Sequence, residues 1–354
     1  MSDPTPPAKA TLAEVAAAAG VSLATASKVA NGRPDVAATT RERVEQAIRD
    51  LQYETLRRSP SQVRPSIAFL ADVIGSSYAM EILRGAVEAA EEAGVDLVVE
   101  RIHARGEPSG QPTSAVLTQR LLAAHRLGAV VLTSGIGGDL YSSIVSARLP
   151  MVVIDPLDSP LPGVISVGST NWLGGRSAAE HLLALGHQQV ALLAGPRESV
   201  SAMARLDGFL SAFRQAGISI PEGRIRHVRF EAGQAGAAAT EWLESPSSPS
   251  AIMAASDTQA LGVLQVAHRL GVRIPDDLSL VSYDDTPMAS WATPALTAVR
   301  QPLADMGHRA VETTLLIHAG GEPESRHIEL SSDLVVRDST AAPRDPSLPG
   351  WNRL

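Results

Sequence analysis

The chain contains no cysteine, and aromatic residues make up only 3% of its 354 positions. The first absence excludes a disulfide framework and any thiolate metal site or nucleophile. The second means that a core must be assembled from Ala, Leu, Val and Ile, which the 44% hydrophobic content allows. No apolar run reaches the roughly 18 residues that a membrane span needs. Met1 to Ala10 is proline-rich, lacks the apolar stretch of a secretory signal, and is expected to be disordered. A cytoplasmic protein without membrane contact is expected.

Charge is unevenly spread. Residues 1–65 carry nine Lys/Arg against seven Asp/Glu, and the remainder 21 against 31, so a net charge of −8 hides a mildly basic head on an acidic body. Affinity for phosphates follows local charge, so this split is compatible with nucleic acid binding by the head.

Residues 11–53 read as helical throughout. Thr11 and Glu14 have capping-box spacing. Leu12, Val15, Ala16 and Ala19 form an apolar face, and Gly20 suits a tight turn closed by Val21. Ser22 is placed to cap a second helix with Ala26, Val29 and Ala30 inward. Leu23, Ala24, Thr25, Ser27 and Lys28 are left outward, where bases and phosphates would lie. A third helix is expected to start near Thr39 or Thr40, with Val44, Ala47, Ile48 and Leu51 inward. This is a helix-turn-helix. Residues 54–65, with Pro60 and Pro65, read as a linker.

From 66 to 340, short apolar runs (SIAFLADV, VDLVVE, AVVLTSG, MVVIDP, QVALLAG, SAIMAAS, LSLVSYDD) alternate with helical patterns such as MEILRGAVEAAEEAG. Gly94, Gly128, Gly186 and Gly217 are read as helix ends. Alternation of buried strands and helices specifies parallel α/β sheets, and this length suggests two lobes. Residues 341–354 read as a tail without the leucine heptads of a coiled coil.

The segment from Thr11 to Tyr53, TLAEVAAAAGVSLATASKVANG followed by TRERV, resembles the headpiece of the lactose-repressor/galactose-repressor (LacI/GalR) family. The rest of the chain is similar to its effector domain, a two-lobed fold like periplasmic binding proteins. The stretches carrying that likeness are EHLLALGHQQVALLAGP, ARLDGF, SDTQALGV, IPDDLSLVSYDD and LTAVRQPLADMG. The resemblance implies an N-lobe of about 66–169 and 301–329 and a C-lobe of about 170–300 and 330–340.

It also implies function. Leu23, Ala24 and Lys28 would read bases, and Thr25, Ser27, Asn31 and Tyr53 would meet phosphate or sugar. Thr11, Leu12, Ser22, Thr40 and Arg57 complete the expected DNA-contacting set. Lysine suits guanine O6 and N7, while Leu23 and Ala24 suit thymine methyls. The family's hinge, with its minor-groove leucine, is not matched by Glu54-Thr55-Leu56-Arg57-Arg58, so the wedge is expected to be weak or missing.

Ligands of such folds sit at the carboxyl ends of parallel strands. Asp72, Asp155, Ser201, Arg205, Phe230, Ser256, Asp257, Asp284 and Gln301 are the expected effector contacts, with Trp172 as a second stacking candidate after Phe230. Their chemistry favours a mono- or oligosaccharide, because carboxylates and an arginine complement hydroxyls. The expected partners are operator DNA, this small molecule and a second copy of the chain. Met80–Ala90 and residues 278–300 are the expected dimer contacts. No cofactor or metal is implied. His181 and His187 lack metalloprotease spacing, and no P-loop or dinucleotide fingerprint occurs. Enzyme action is therefore not expected. An exported sugar-binding protein would share the body's fold but not the head, and a corepressor-dependent regulator is the other alternative.

Overall fold

The computed structural model describes residues 10–31, 33, 35–51, 53, 64–102, 114–132, 138–157 and 163–344. The chain divides into two units, residues 1–64 and 65–354.

The first unit holds α1 (Leu12–Ala19), α2 (Leu23–Ala30) and α3 (Ala38–Asp50). The Thr11–Glu14 capping box forms, and Gly20 ends α1 in the left-handed region at φ 62°. Arg43 of α3 donates to the carbonyls of Ala19 and Gly20, placing a cation on the negative end of the α1 dipole. α1 and α2 meet at a 106° bend, within the helix-turn-helix range. Val15, Ala16, Ala19, Ala26, Val29, Val44 and Ala47 form the core, with Ile48 and Tyr53 packed against it. Two expectations need correction. α3 starts at Ala38, one residue early, with no side-chain cap, because Ala37 offers no acceptor. Leu51 is exposed rather than inward, because the helix ends at Asp50 and Leu51 leaves its apolar stripe.

Among the described residues, the second unit contains two six-stranded sheets. The first has β1 (Ser66–Ala71), β2 (Asp96–Arg101), β3 (Arg126–Leu132), β4 (Met151–Ile154), β5 (Ile165–Ser169) and β11 (His327–Leu330). Their order is β11-β5-β4-β3-β1-β2, and every pair is parallel. The second has β6 (Val190–Ala194), β7 (Ile225–His227), β8 (Ala251–Ala254), β9 (Ser279–Asp284), β10 (Thr297–Arg300) and β12 (Asp333–Val335), ordered β12-β10-β9-β8-β6-β7. Only β12 is antiparallel. The chain passes between sheets three times, after β5, β10 and β11.

Helices α4 (Ser77–Glu92), α5 (Ser114–Ala123), α6 (Gly138–Ser146) and α12 (Leu303–His318) belong to the first lobe. α7 (Asn171–Ala184), α8 (Val200–Gln215), α9 (Ala232–Leu243), α10 (Asp257–Arg269) and α11 (Pro287–Trp291) belong to the second. Four aliphatic clusters, two in each lobe, form the core. Six of the near-continuous apolar runs became buried strands, as burial on both faces requires, while VDLVVE became the edge strand β2, which is partly exposed. Gly128 does not end a helix. It lies inside β3, where a Cβ would come within 2.4 Å of the Thr314 methyl.

Glycine also sets helix spacing. α7 and α8 pack so closely that a Cβ on Gly175 would lie 2.0 Å from the Arg205 carbonyl oxygen, and one on Gly208 would lie 1.9 Å from that of Trp172. Gly175→Ala is expected to force these helices apart and to lower stability by about 1–2 kcal/mol, as overpacking does. Urea unfolding of the full chain measures it, and an unchanged midpoint would show that the helices separate freely.

Candidate DNA-reading head and interlobe site

In the head, Ser22 caps α2 by accepting from the Thr25 N–H at 3.1 Å. Leu23, Ala24 and Lys28 are exposed along one side of α2, and Thr25 and Ser27 are half-buried. Asn31 caps the other end, its amide donating to the Ser27 carbonyl (2.7 Å) and hydroxyl (3.1 Å). Lys28 donates to Asp35 Oδ2 at 2.8 Å, and this bond holds the Asp35 carboxyl below its usual range. Thr11 is engaged in its capping box, and Leu12 packs partly on the core. Thr40, in the first turn of α3, and Tyr53, just beyond it, are half-buried. Arg57 and the hinge segment lie outside the described residues.

In the second unit, Arg205 of α8 is buried at the carboxyl ends of the second sheet's strands. Its Nε donates to Asn171 Oδ1 at 2.7 Å, and a terminal nitrogen donates to the Ala255 carbonyl at 2.8 Å. The same nitrogen lies 3.4 Å from Asp284 Oδ1. The guanidinium also stands 4.0 Å from the centroid of the Tyr283 ring, a cation–π geometry. Burial alone would lower the Arg205 pKa, but Asp284, Tyr283 and Asp155 outweigh it and raise it. Asp284 Oδ1 accepts from Gln301 Nε2 at 2.6 Å, and Gln301 Oε1 accepts from Ser169 Oγ at 2.6 Å. That chain of bonds runs from the end of β9, through the crossover after β10, to the end of β5.

Asp155, just beyond β4, accepts from the Tyr78 hydroxyl. Burial raises the pKa of both Asp155 and Asp284, and Arg205 opposes it in each. Both carboxylates sit on left-handed backbone, at φ 44° and 94°. Such strain at strand ends, of order 1–3 kcal/mol each, collects at functional sites.

The remaining candidates divide. Trp172 and Ser201 line a cavity of about 330 Å³ together with Asp155. Ser256 caps α10 by accepting from the Gln259 N–H. Both Asp257 oxygens are occupied internally: Ser282 Oγ donates to one, and Thr286 N (2.7 Å) and Oγ1 (2.8 Å) to the other. Asp257 thus braces the end of β9. Asp72 accepts from the Val73 N–H at 2.8 Å, and Phe230 presses its ring on Gly195. Neither lines the cavity. Tyr78, Ser169 and Asn171 belong to the site and were not singled out in the sequence. Asn171 and Ser169 flank a crossover, and Tyr78 opens the helix after β1, so position at strand ends was the available signal.

Burial, and then the charge of Asp284, push the Asp257 carboxyl up to about 7. A carboxyl raised in the fold keeps a proton that the unfolded chain has lost. Its contribution to stability is present below about pH 4 and falls away as pH rises toward 7. Asp257→Asn is expected to flatten this part of the stability–pH curve between pH 5 and 7. Melting scans in that window test it, and an unaltered slope would show that Asp257 stays ionised.

A head with an exposed reading helix thus precedes a two-lobed body with a buried polar hub, and comparison with known proteins gives the same arrangement. The profile of bacterial regulatory proteins of the lacI family matches residues 11–55, and that of a periplasmic binding protein-like domain matches 179–340. The regulator MalR of Streptomyces coelicolor is 32% identical over 94% of this chain and 96% of its own. The chain belongs to the LacI family. It is a DNA-binding transcriptional regulator. CelR of Thermobifida fusca and the repressor PurR of Photobacterium profundum are each 31% identical over 93% of this chain and 98% of their own. Among solved structures, a CelR–cellobiose complex matches at TM-score 0.69 and 31% identity, covering 93% of this chain and 99% of that one. A lac repressor dimer bound to operator and an anti-inducer matches at TM-score 0.72 and 28% identity, covering 95% and 100%.

Proposed function

We propose that this LacI-family regulator is a cytoplasmic repressor that holds a roughly palindromic operator as a homodimer and releases it when a sugar binds between the lobes. The observation that carries the reading is the hub of Arg205, Asp284, Gln301 and Asp155, drawn from both lobes and the crossover between them. Hydroxyl groups need acceptors and donors together, and the hub supplies both. A molecule touching both lobes favours one lobe arrangement, and release follows if that arrangement binds DNA more weakly. Exposed Met80 and Val87 on α4, and Trp291 at 79% exposure on α11, support pairing of two copies through these helices.

Lys28 is the only charged side chain on α2 and is assigned to guanine, with Leu23 and Ala24 against thymine methyls. The PurR relatives raise a purine corepressor as an alternative, but the half-exposed Trp172 beside Asp155 and Ser201 supports a sugar. Thermal shift of the full chain against a panel of neutral sugars and purines tests this choice, since a bound effector raises the melting temperature by mass action. Stabilisation by a purine and by no sugar would reverse it.

A further inference from the structure

Arg224 is a cation without an anion. It closes the short 3-10 turn Glu222–Arg224 that leads into β7, the outer strand of the second sheet. Burial lowers its pKa, and no acidic group acts against that shift. Its Nη1 is enclosed and has no hydrogen-bond partner among the described residues. Acidic residues are close in the sequence, but Glu241 pairs with Arg226 at 3.2 Å, and Glu222 and Glu244 are exposed. A buried, unpaired cation is unfavourable, and an anion beside it would relieve the cost.

The other terminal nitrogen, Nη2, makes a long bond of 3.4 Å to the Ser247 hydroxyl. Ser247 is exposed in the loop from α9 to β8, which reads Glu244-Ser245-Pro246-Ser247-Ser248-Pro249-Ser250. Its N–H and its hydroxyl both meet Ser245 Oγ at 3.3 Å, so the loop itself holds the serine at the guanidinium. The facing turn is held as well. The Trp242 indole N–H donates to the Gly223 carbonyl at 3.0 Å, and Arg226 donates to the same oxygen at 2.9 Å.

We propose that Ser247 is a phosphorylation site and that Arg224 receives the phosphoryl group. A serine kinase supplies that group from a nucleoside triphosphate. Ser247 Oγ bonds to the γ-phosphorus as the bond to the β,γ-bridging oxygen breaks. The nucleoside diphosphate leaves, and the hydroxyl proton passes to a base of the kinase. The product carries nearly two negative charges at neutral pH and three acceptor oxygens, which the fork of guanidinium nitrogens matches. The modified loop is then clamped to the sheet edge at the amino ends of β7 and β8, whereas the hub lies at the carboxyl ends. The inference is independent of which effector binds there.

Peptide mapping by mass spectrometry of the chain isolated from its own cells should place phosphate on Ser247. Phosphate on other serines only, or on none, would overturn the assignment. The full chain with phosphoserine encoded at position 247 tests the receiver. Phosphorus NMR should show the second ionisation at a pH about 0.5 below its usual value near 6, because a neighbouring cation favours the dianion. The melting temperature should rise by about 2 °C or more over the unmodified chain. Arg224→Gln should cancel both effects. In the unmodified chain it should leave the melting temperature at or above the parent's, since it removes a buried unpaired charge. A phosphate that titrates normally, or a modified chain that melts no higher, would remove the clamp. Inorganic phosphate that stabilises the unmodified chain equally, and through Arg224, would make the ligand a free anion and contradict the modification.

Discussion

Arg205→Ala is expected to abolish sugar binding and to destabilise the body by about 3–5 kcal/mol, the range for removing one member of a buried ion pair. Three elements converge on this side chain: Asn171 at the start of α7, Ala255 after β8 and Asp284 at the end of β9. Without the guanidinium, the Asp284 carboxylate stays buried near Asp155 and Asp257 with Gln301 and the Asp257 backbone N–H as its donors. Arg205→Lys separates the two losses. It restores a charge but not the planar fork that reaches Asn171 and Ala255 together. Part of the stability should return while sugar affinity stays low. Urea unfolding and calorimetric titration of both variants make the comparison. An Arg205→Ala protein that unfolds at the parental midpoint and binds sugar normally would remove the hub from the account.

Lys28→Ala is expected to cost about 1–3 kcal/mol in operator binding and to relax discrimination at one base pair. In the free head this lysine is held by Asp35, a pair whose members are both about half exposed and which water and salt screen. Contact with guanine exchanges that partner for a base. Asp35→Asn should act in the opposite direction on non-operator DNA, because a released lysine becomes a general phosphate contact. The log–log salt slope for random duplex should steepen by about 0.9. Fluorescence anisotropy measures both variants, using a duplex selected by the protein from a random pool and a scrambled control. A uniform loss across all sequences for Lys28→Ala would make Lys28 a phosphate contact instead.

The head was legible in the sequence because its signals are local. Thr11, Glu14, Gly20 and Ser22 act on backbone groups within a few residues, and each took its expected place. Leu51 failed for a local reason too, since one residue of helix length decides whether it joins the stripe. The central strands were legible because two-sided burial forces continuous apolar runs. β5, β7, β10, β11 and β12 were not, being only three to five residues long.

The interlobe site was half legible. Asp155 and Asp284 at strand ends and Arg205 on α8 could be read from pattern and family likeness, but their partners could not. Ser169 meets Gln301 across 132 positions, and Ser166 meets His327 across 161. Only strand register settles such pairings, and no sequence period records it. Asp257 shows the converse limit. Its place beside the site was evident, but Ser282 and Thr286, which occupy its oxygens, became visible only when β9 was laid beside α10.

Operator binding by the full chain, followed by anisotropy at fixed salt while a bound sugar is titrated in, tests the central claim most directly. The account predicts that the sugar weakens operator affinity at least about tenfold, within the usual range of allosteric coupling, and that the more stable Arg205→Lys variant shows no such release. Operator affinity that stays constant, or rises, as the sugar saturates the body would contradict it.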